Sequence, residues 1–505
     1  MAGRIASEKY QAKVTDVETV VAQVKDGDKI GVSGFTGAGY PKAFPVALAE
    51  RIKAAHERGE QFMVSVFTGA STAPELDASL AGVNGVKYRT PYQSDPVLRG
   101  KINDGTTFYQ DIHLSHLHNQ IAYGFFGPLD WAVVEACAIT SDGELVPSSS
   151  VGMNRTYLER ATKIVIEVNE WQTPDLYGLH DIYYGTEAMP PERQPIPIVH
   201  AGDIIGQKTL RVDWDKVVGV IMTNAPDRNS PFKPLDDDSR AIAGHLIDFF
   251  QNEIKAGRLP KNLLPLQSGV GNIANAVLEG LLASDFEHMT SYTEVIQDGM
   301  IALIDAGKID VASATSFSLS PDAAHMINEN AGKYRGKMVL RPQDVSNHPE
   351  VIRRMGVISC NGMIEADIYG NVNSTHVAGT RMQNGIGGSA DFTRNASISC
   401  FVSPSFAKNG DISAIVPMVS HHDHTEHDVS VIITEQGLAD LRGLAPRQRS
   451  RLIIEKCAHP DYRPILLDYV DRAERTAKGL QTPHLLGEAL SFHQRFVETG
   501  SMKIK

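Results

Sequence analysis

The chain has 505 residues, a formal net charge of −12, 42% hydrophobic residues and 21% charged residues. That length exceeds what one hydrophobic core supports and predicts two large domains; the composition is that of a folded globular chain, not a disordered or fibrous one. The acidic balance excludes a general nucleic-acid binder, which needs a basic face against phosphates, so any anionic ligand would be met by local cations.

Apolar strand-like runs alternate with helical patterns along most of the chain, the signature of an α/β fold with mainly parallel sheets. Thr15 or Asp16 can cap a short helix carrying Val17, Val20, Val21 and Val24, and IGVSGF at 30–35 supplies a strand. The glycine turn GFTGAG (34–39) follows, with Pro41 expected at a helix start. FMVSVF (62–67), WAVVEACAI (131–139), KIVIEV (163–168) and VVGVIM (217–222) are further strands, enough for a complete sheet. At 224–239 the composition changes to NAPDRNSPFKPLDDDS, a linker that divides the chain into domains 1–225 and 226–505. Its acidic end caps a helix from about 240 to 255, with Ile242, Leu246, Phe249 and Phe250 facing inward.

In the second half a turn, QSGVGN (267–272), precedes the helical run IANAVLEGLL. A glutamate-bearing segment, SYTEVIQDG (291–299), comes next; Val295 and Ile296 suit a buried place, and the residues from Gln297 to Gly299 start a turn or helix. MVLR (338–341), SISCFVS (397–403), ISAIVPM (412–418) and DVSVIIT (428–434) read as strands, and a helix over 483–498 closes the chain. Between them lies NGIGGSADF (384–392). Gly385, Gly387 and Gly388 lack a Cβ, so this backbone can take positive φ and turn N–H groups onto a ligand oxygen, where they stabilise a developing oxyanion. Glycine turns beside strands in both halves point to two related α/β domains facing one central cleft.

Cys137, Cys360, Cys400 and Cys457 are far apart and lie in or beside apolar stretches, as reduced buried thiols do. The segment MAGRIASEKY has no apolar signal core, and no run approaches the roughly 18 apolar residues of a membrane span, so a cytoplasmic protein without a membrane partner is expected. HHDHTEH (421–427) gathers imidazoles and carboxylates, but without a recognised metal spacing such as HExxH; it reads as a polar loop, and no metal is expected.

Nine segments, in order, carry a likeness that spans nearly the whole chain: GFTGAGYPK (34–42), TGAST (68–72), PSSSVG (147–152), LPLQSGVGN (264–272), SYTEVIQDGM (291–300), QDVSN (343–347), NGMIEADIYGNVNST (361–375), NGIGGSADF and ITEQGLADLRGL (433–444). Together they resemble the acetyl-CoA hydrolase/transferase family of class I CoA-transferases. The resemblance implies two CoA-transferase-like (Rossmann-like) α/β domains, a homodimer, coenzyme A as substrate and covalent intermediate, and small carboxylates such as acetate and succinate as partners. It places the nucleophile at Glu294, with Asn347 and Glu435 beside the reacting carboxylates. Asn347 would orient Glu294; Glu435 would position the incoming acid or share a proton, or else be a structural carboxylate. Asn384 and Gly388 in the late glycine loop, the 267–271 turn (Gln267, Ser268, Gly269, Val270, Gly271) and Lys408 are implied to contact CoA. Arg228 is a candidate for the second carboxylate of a dicarboxylate substrate, and Ser71 for the cleft wall.

A carboxylate nucleophile fits acyl transfer, because it can attack a thioester, form a mixed anhydride and then accept the CoA thiolate as a glutamyl thioester. CoA transfer between succinyl-CoA and acetate is the activity so implied. Acetyl-CoA hydrolysis at the same residues, and a non-catalytic ligand sensor on the same fold, are the alternatives.

Overall fold

The computed structural model describes residues 3–229 and 234–504. The chain divides into two compact units. The first takes residues up to 229 together with Ser291–Ile304 and Asp310–Met355; the second takes residues from 234 to 290, Asp305–Ile309 and the chain from Gly356 onward. The expected linker at 224–239 falls at the first passage between units, and its residues 230–233 lie outside the described residues. The partition is discontinuous, however. Glu294 and Asn347, expected in the domain after 225, belong to the first unit, because the chain returns to it twice after entering the second.

The first unit is built on eight strands: β1 (Lys29–Val32), β2 (Val64–Phe67), β3 (Val86–Thr90), β4 (Phe108–Tyr109), β5 (Leu129–Ile139), β6 (Leu145–Pro147), β7 (Ala161–Asn169) and β8 (Val217–Thr223). Their order is β4-β3-β2-β1-β5-β7-β8, with β6 antiparallel on β5 and every other pair parallel. Parallel strands covered on both faces read as unbroken apolar runs, and all of β5 except Asp130 is buried. Val20, Val24, Leu48, Ile52 and Leu80 pack with Ile30, Val64 and Val133 to form one core of this unit. From β1 the sheet grows outward through β2, β3 and β4, and the chain then returns to β5 on the other side of β1. That reversal makes the carboxyl end of β1 a topological switch point, where open α/β sheets bind their ligands.

The helix expected at Pro41 begins instead at Phe44 and runs Phe44–Glu57. The buried Glu167 carboxylate sets this start: it accepts the backbone N–H groups of Lys42 at 2.7 Å and Phe44 at 2.6 Å, fixing 42–44 as the capped approach to the helix. The returning segments add a parallel pair, Val295–Gln297 with Ser316–Ser318, and a second one, Ile309–Ala314 with Met338–Leu340, paired through Ala312, Ser313 and Ala314.

In the second unit Leu266–Ser268, Ile358–Gly362, Ile398–Val402 and Val431–Thr434 lie side by side in that order and parallel; Gly437–Asp440 closes the row as a hairpin. The helices Pro446–Cys457, Arg463–Thr476 and Ser491–Thr499 supply Ile453, Ile454, Leu466, Tyr469 and Phe492 to one core with Ile432 and Ala439. The acidic cap is Asp236, whose side chain accepts from Ser239 N at 2.7 Å ahead of the helix Asp237–Lys255. ISAIVPM is not one strand but two short ones, Ile412–Ser413 and Ile415–Val416. The closing helix starts at Ser491, later than the 483 expected, because Pro483 and Gly487 precede it in non-helical chain. All four cysteines are free and buried, and burial pushes the thiols of Cys137, Cys360 and Cys457 up to about 12.

Candidate active site

In the first unit Glu294 stands directly before the strand Val295–Gln297, half-buried. Its main-chain carbonyl accepts from Thr315 N at 2.9 Å and Ser316 N at 3.3 Å, so the backbone beneath the carboxylate is fixed. Its Oε1 accepts from Asn347 Nδ2 at 2.8 Å. Asn347 is fully buried and follows the one-turn helix Gln343–Ser346. Ser346 Oγ donates to Asn347 Oδ1 at 2.8 Å, which orients the amide with its nitrogen toward Glu294.

Side chains from four separate stretches pack together at this place: Phe35 from the early glycine turn, Ala70 from the loop after β2, Leu114, and Val295 itself. Ser71, expected to line the cleft, is buried beside Ala70 in that loop. The glycine turn is tied to the strand Ser316–Ser318: Thr36 Oγ1 donates to the Phe317 carbonyl at 3.2 Å and Ser316 Oγ to the Phe35 carbonyl at 3.0 Å. Arg228 is exposed and its N–H donates to the Gly37 carbonyl at 3.0 Å, so it rides on the same turn.

Behind the turn lies a buried charge network that the sequence reading did not anticipate. Lys42 Nζ meets Glu135 Oε2 and Asp227 Oδ1, each at 2.7 Å. Gln172 Nε2 donates to Asp227 at 2.9 Å, Ser149 Oγ donates to the same carboxylate, and Asp227 Oδ1 takes Gly39 N at 3.0 Å. Burial, opposed by Lys42, pushes the Glu135 carboxyl up to about 7, while at Asp227 the lysine and the hydrogen bonds outweigh burial and hold the carboxyl below its usual range. The signal for this network was present in part, since Lys42 ends the GFTGAGYPK segment and Ser149 lies in PSSSVG.

In the second unit, Gln267 is a brace: its amide donates to Asn361 Oδ1 at 3.0 Å and accepts from Cys360 N at 3.2 Å. Gly269 N is likewise bonded to the Cys360 carbonyl at 3.0 Å, and Ser268 is buried. Val270 is 60% exposed at the turn tip, and Gly271, at φ +113°, begins the helix Asn272–Ala283. Of the three late glycines expected to exploit positive φ, Gly387 does so at +57°, whereas Gly388 has φ −93° and caps the helix Ser389–Thr393. Gly388 is buried and Asn384 half-buried. Lys408 is exposed, its ammonium 4.9 Å from the Phe496 ring centre. Glu435 accepts from Ser405 N at 2.7 Å, from Ser405 Oγ and from Gln436 Nε2 at 3.0 Å. Burial opposes ionisation there, yet these donors bring its carboxyl below the usual range, which makes Glu435 a charged acceptor and disfavours the shared-proton role.

The histidine-rich loop is engaged with residues 374–376. His421 stacks on His376 at 3.9 Å, and Asp423 accepts from Ser374 N at 2.7 Å and Thr375 Oγ1 at 2.8 Å. Among the described residues no group of three or more His, Cys, Asp or Glu side chains is placed to hold a metal ion.

The N-terminal domain pattern of the acetyl-CoA hydrolase/transferase family matches residues 2–221, and its C-terminal domain pattern matches residues 326–470. The chain belongs to the acetyl-CoA hydrolase/transferase family. A succinyl-CoA:acetate CoA-transferase of Clostridium kluyveri is 49% identical over 99% of this chain and 92% of its own. An acetyl-CoA hydrolase of Eremothecium gossypii is 45% identical over 99% of this chain and 98% of its own. The crystal structure of RipA from Yersinia pestis superposes with a TM-score of 0.72 at 22% identity, covering 92% of this chain and 98% of that one, a likeness of fold. Identity of 49% to a CoA-transferase over 99% of this chain supports an enzyme of the CoA-transferase type.

Proposed function

We propose that this enzyme moves CoA reversibly from succinyl-CoA to acetate, with Glu294 as covalent nucleophile. The carrying observation is the Asn347–Glu294 hydrogen bond: a half-buried carboxylate, fixed at its backbone and held in one orientation, stands in the segment that matches the family's nucleophile motif. In this reading a Glu294 oxygen attacks the thioester carbonyl, the C–S bond breaks, and an acyl-glutamyl anhydride forms as CoA leaves as thiolate. The thiolate then attacks the glutamyl carbonyl and expels the acyl group as its free carboxylate, leaving a glutamyl-CoA thioester. Acetate attacks that thioester, and the two steps run in reverse to release acetyl-CoA, conserving the thioester. Val270, Gly271, Asn384, Gly388 and Lys408 are assigned to CoA, and Glu435 to the acid substrates, by their match to the family's positions; Arg228 is assigned to the second carboxylate of a dicarboxylate by its charge, and Ser71 to the wall of the acid site. Gln267 keeps a supporting place there, given its bonds to Cys360 and Asn361.

The test is direct. Glu294→Ala is expected to abolish exchange between succinyl-CoA and acetate with an unchanged circular-dichroism spectrum, and mass analysis of wild-type enzyme given acyl-CoA is expected to find an added CoA on the peptide holding Glu294. Turnover near normal in the variant ends the reading. The relationship to an acetyl-CoA hydrolase supports a second reading, in which water resolves the same intermediate. CoA release from succinyl-CoA at equal rates with and without acetate would favour it.

A further inference from the structure

The geometry points to Asp344, with Arg155 and Thr186, as a positioning group that aims Asn347 at Glu294. This deepens the reading of Glu294 as nucleophile and rests on it.

Asn347 is carried by Gln343–Ser346, a helix of four residues. So short a helix has no stability of its own, since nucleation costs more than one turn returns; its orientation must be imposed by its surroundings. Three anchors do this. Tyr292 Oη, two residues before Glu294, donates to the Val345 carbonyl at 2.7 Å. Gln343 Nε2 donates to the Leu114 carbonyl at 3.1 Å, and Gln343 N to the Gly152 carbonyl at 3.0 Å. The third anchor is ionic: Asp344, 3% exposed, accepts from Arg155 Nη2 at 2.9 Å and from the Thr186 hydroxyl.

Arg155 is 1% exposed and is itself fixed by the Tyr183 carbonyl at 2.6 Å and Thr186 Oγ1 at 2.8 Å. His118 Nε2 lies 4.0 Å from Asp344, but burial lowers its basicity, leaving Arg155 as the fixed positive charge. Burial would raise the Asp344 carboxyl; Arg155 foremost, with His118, the Thr186 hydroxyl and His348, outweighs it and brings the group to about 2. A buried pair like this one, tied in further by the Tyr183 carbonyl and the Thr186 hydroxyl, adds geometric definition more than net stability. Here the defined element ends, three residues on, in the amide that holds the reacting carboxylate. Asp344 touches no reacting atom, so it acts only through Asn347.

Three variants of the full chain test this with succinyl-CoA and acetate: Asp344→Asn, Thr186→Val as the milder change should the first fold poorly, and Asn347→Ala. Asp344→Asn is expected to lower kcat about tenfold or more while KM for the acyl-CoA moves less than about threefold. Thr186→Val is expected to lower kcat in the same direction by less. Added to Asn347→Ala, either change is expected to cost less than about twofold more, because the amide through which it acts is gone. A purely structural role would give additive losses or a KM effect, and either result overturns the proposal. Full activity in Glu294→Ala would instead overturn the nucleophile reading, a result separable from any seen at Asp344.

Discussion

Gly39 shows how one side chain's absence sustains the early glycine turn. Its φ is +64°, and a Cβ built there would lie 2.3 Å from Ser150 Oγ and 3.0 Å from Ser150 N. Left-handed backbone alone costs a non-glycine residue about 1–2 kcal/mol, and the close approach to main chain adds overpacking strain of about 1–3 kcal/mol. Gly39→Ala is therefore expected to lose about 2–5 kcal/mol in urea unfolding. Gly271 makes the contrast: φ is +113°, yet a Cβ there meets nothing within 4 Å. Gly271→Ala is expected to cost the backbone penalty alone, about 1–3 kcal/mol on the same measurement, because φ +113° with ψ −177° is a region essentially only glycine occupies. Spacing places both glycines in turns, because it reports that a turn exists and not what crowds it. The same holds for Glu435, whose position was legible and whose ionised state was not, since it depends on Ser405 donating from thirty residues away.

At the level of elements, legibility followed burial. β5 and β7, enclosed on both faces, appear in the sequence as WAVVEACAI and KIVIEV, and the helix Asp237–Lys255 as an inward stripe behind acidic residues. β3 escaped because VKYRT looks polar; its Arg89 is wholly buried against Asp77, Nε to Oδ1 at 3.0 Å, a pairing no local pattern announces. Glu294 and Asn347 were legible through their motifs, but the Lys42 network joins residues 93 and 185 positions apart and had no contiguous signature. The start of the helix Phe44–Glu57 belongs to this class, because Glu167 sets it from another strand. Glu167→Gln replaces a carboxylate that accepts from three successive N–H groups, those of Lys42, Ala43 and Phe44, with an amide offering one acceptor oxygen. The variant is expected to lose about 1–3 kcal/mol in urea unfolding, from donors left unmade and from the lost charge at a helix N-terminus.

For the molecule as a whole, buried titratable groups bracket the pH range of stability from both sides. Glu135, raised by burial to about 7 against an ordinary 4.5, binds its proton more tightly folded than unfolded. Its contribution is fully present below about pH 4.5 and is lost as pH rises through about 7, where a charge must appear beside Asp227 with Lys42 as the partner of both. His180 works from the other side. Its Nε2 lies 2.9 Å from the Ser148 carbonyl, to which it donates, and its Nδ1 is buried with no hydrogen-bond partner, so burial lowers it to about 4 from 6.5. The unfolded chain takes up that proton first as pH falls, and folded stability declines between about 6.5 and 4. Each group imposes a limiting slope of about 1.4 kcal/mol per pH unit inside its window. Since other groups titrate over the same range, the decisive quantity is a difference between variants. Glu135→Gln mimics the protonated acid, and wild-type stability is expected to decline relative to it as pH rises from about 4.5 to about 7. His180→Gln removes the imidazole that resists protonation, and wild type is expected to decline relative to it as pH falls from about 6.5 to about 4. Urea midpoints of the three proteins across pH 4 to 8 would show two difference curves of opposite slope; parallel flat curves would mean that neither group titrates differently in the folded chain.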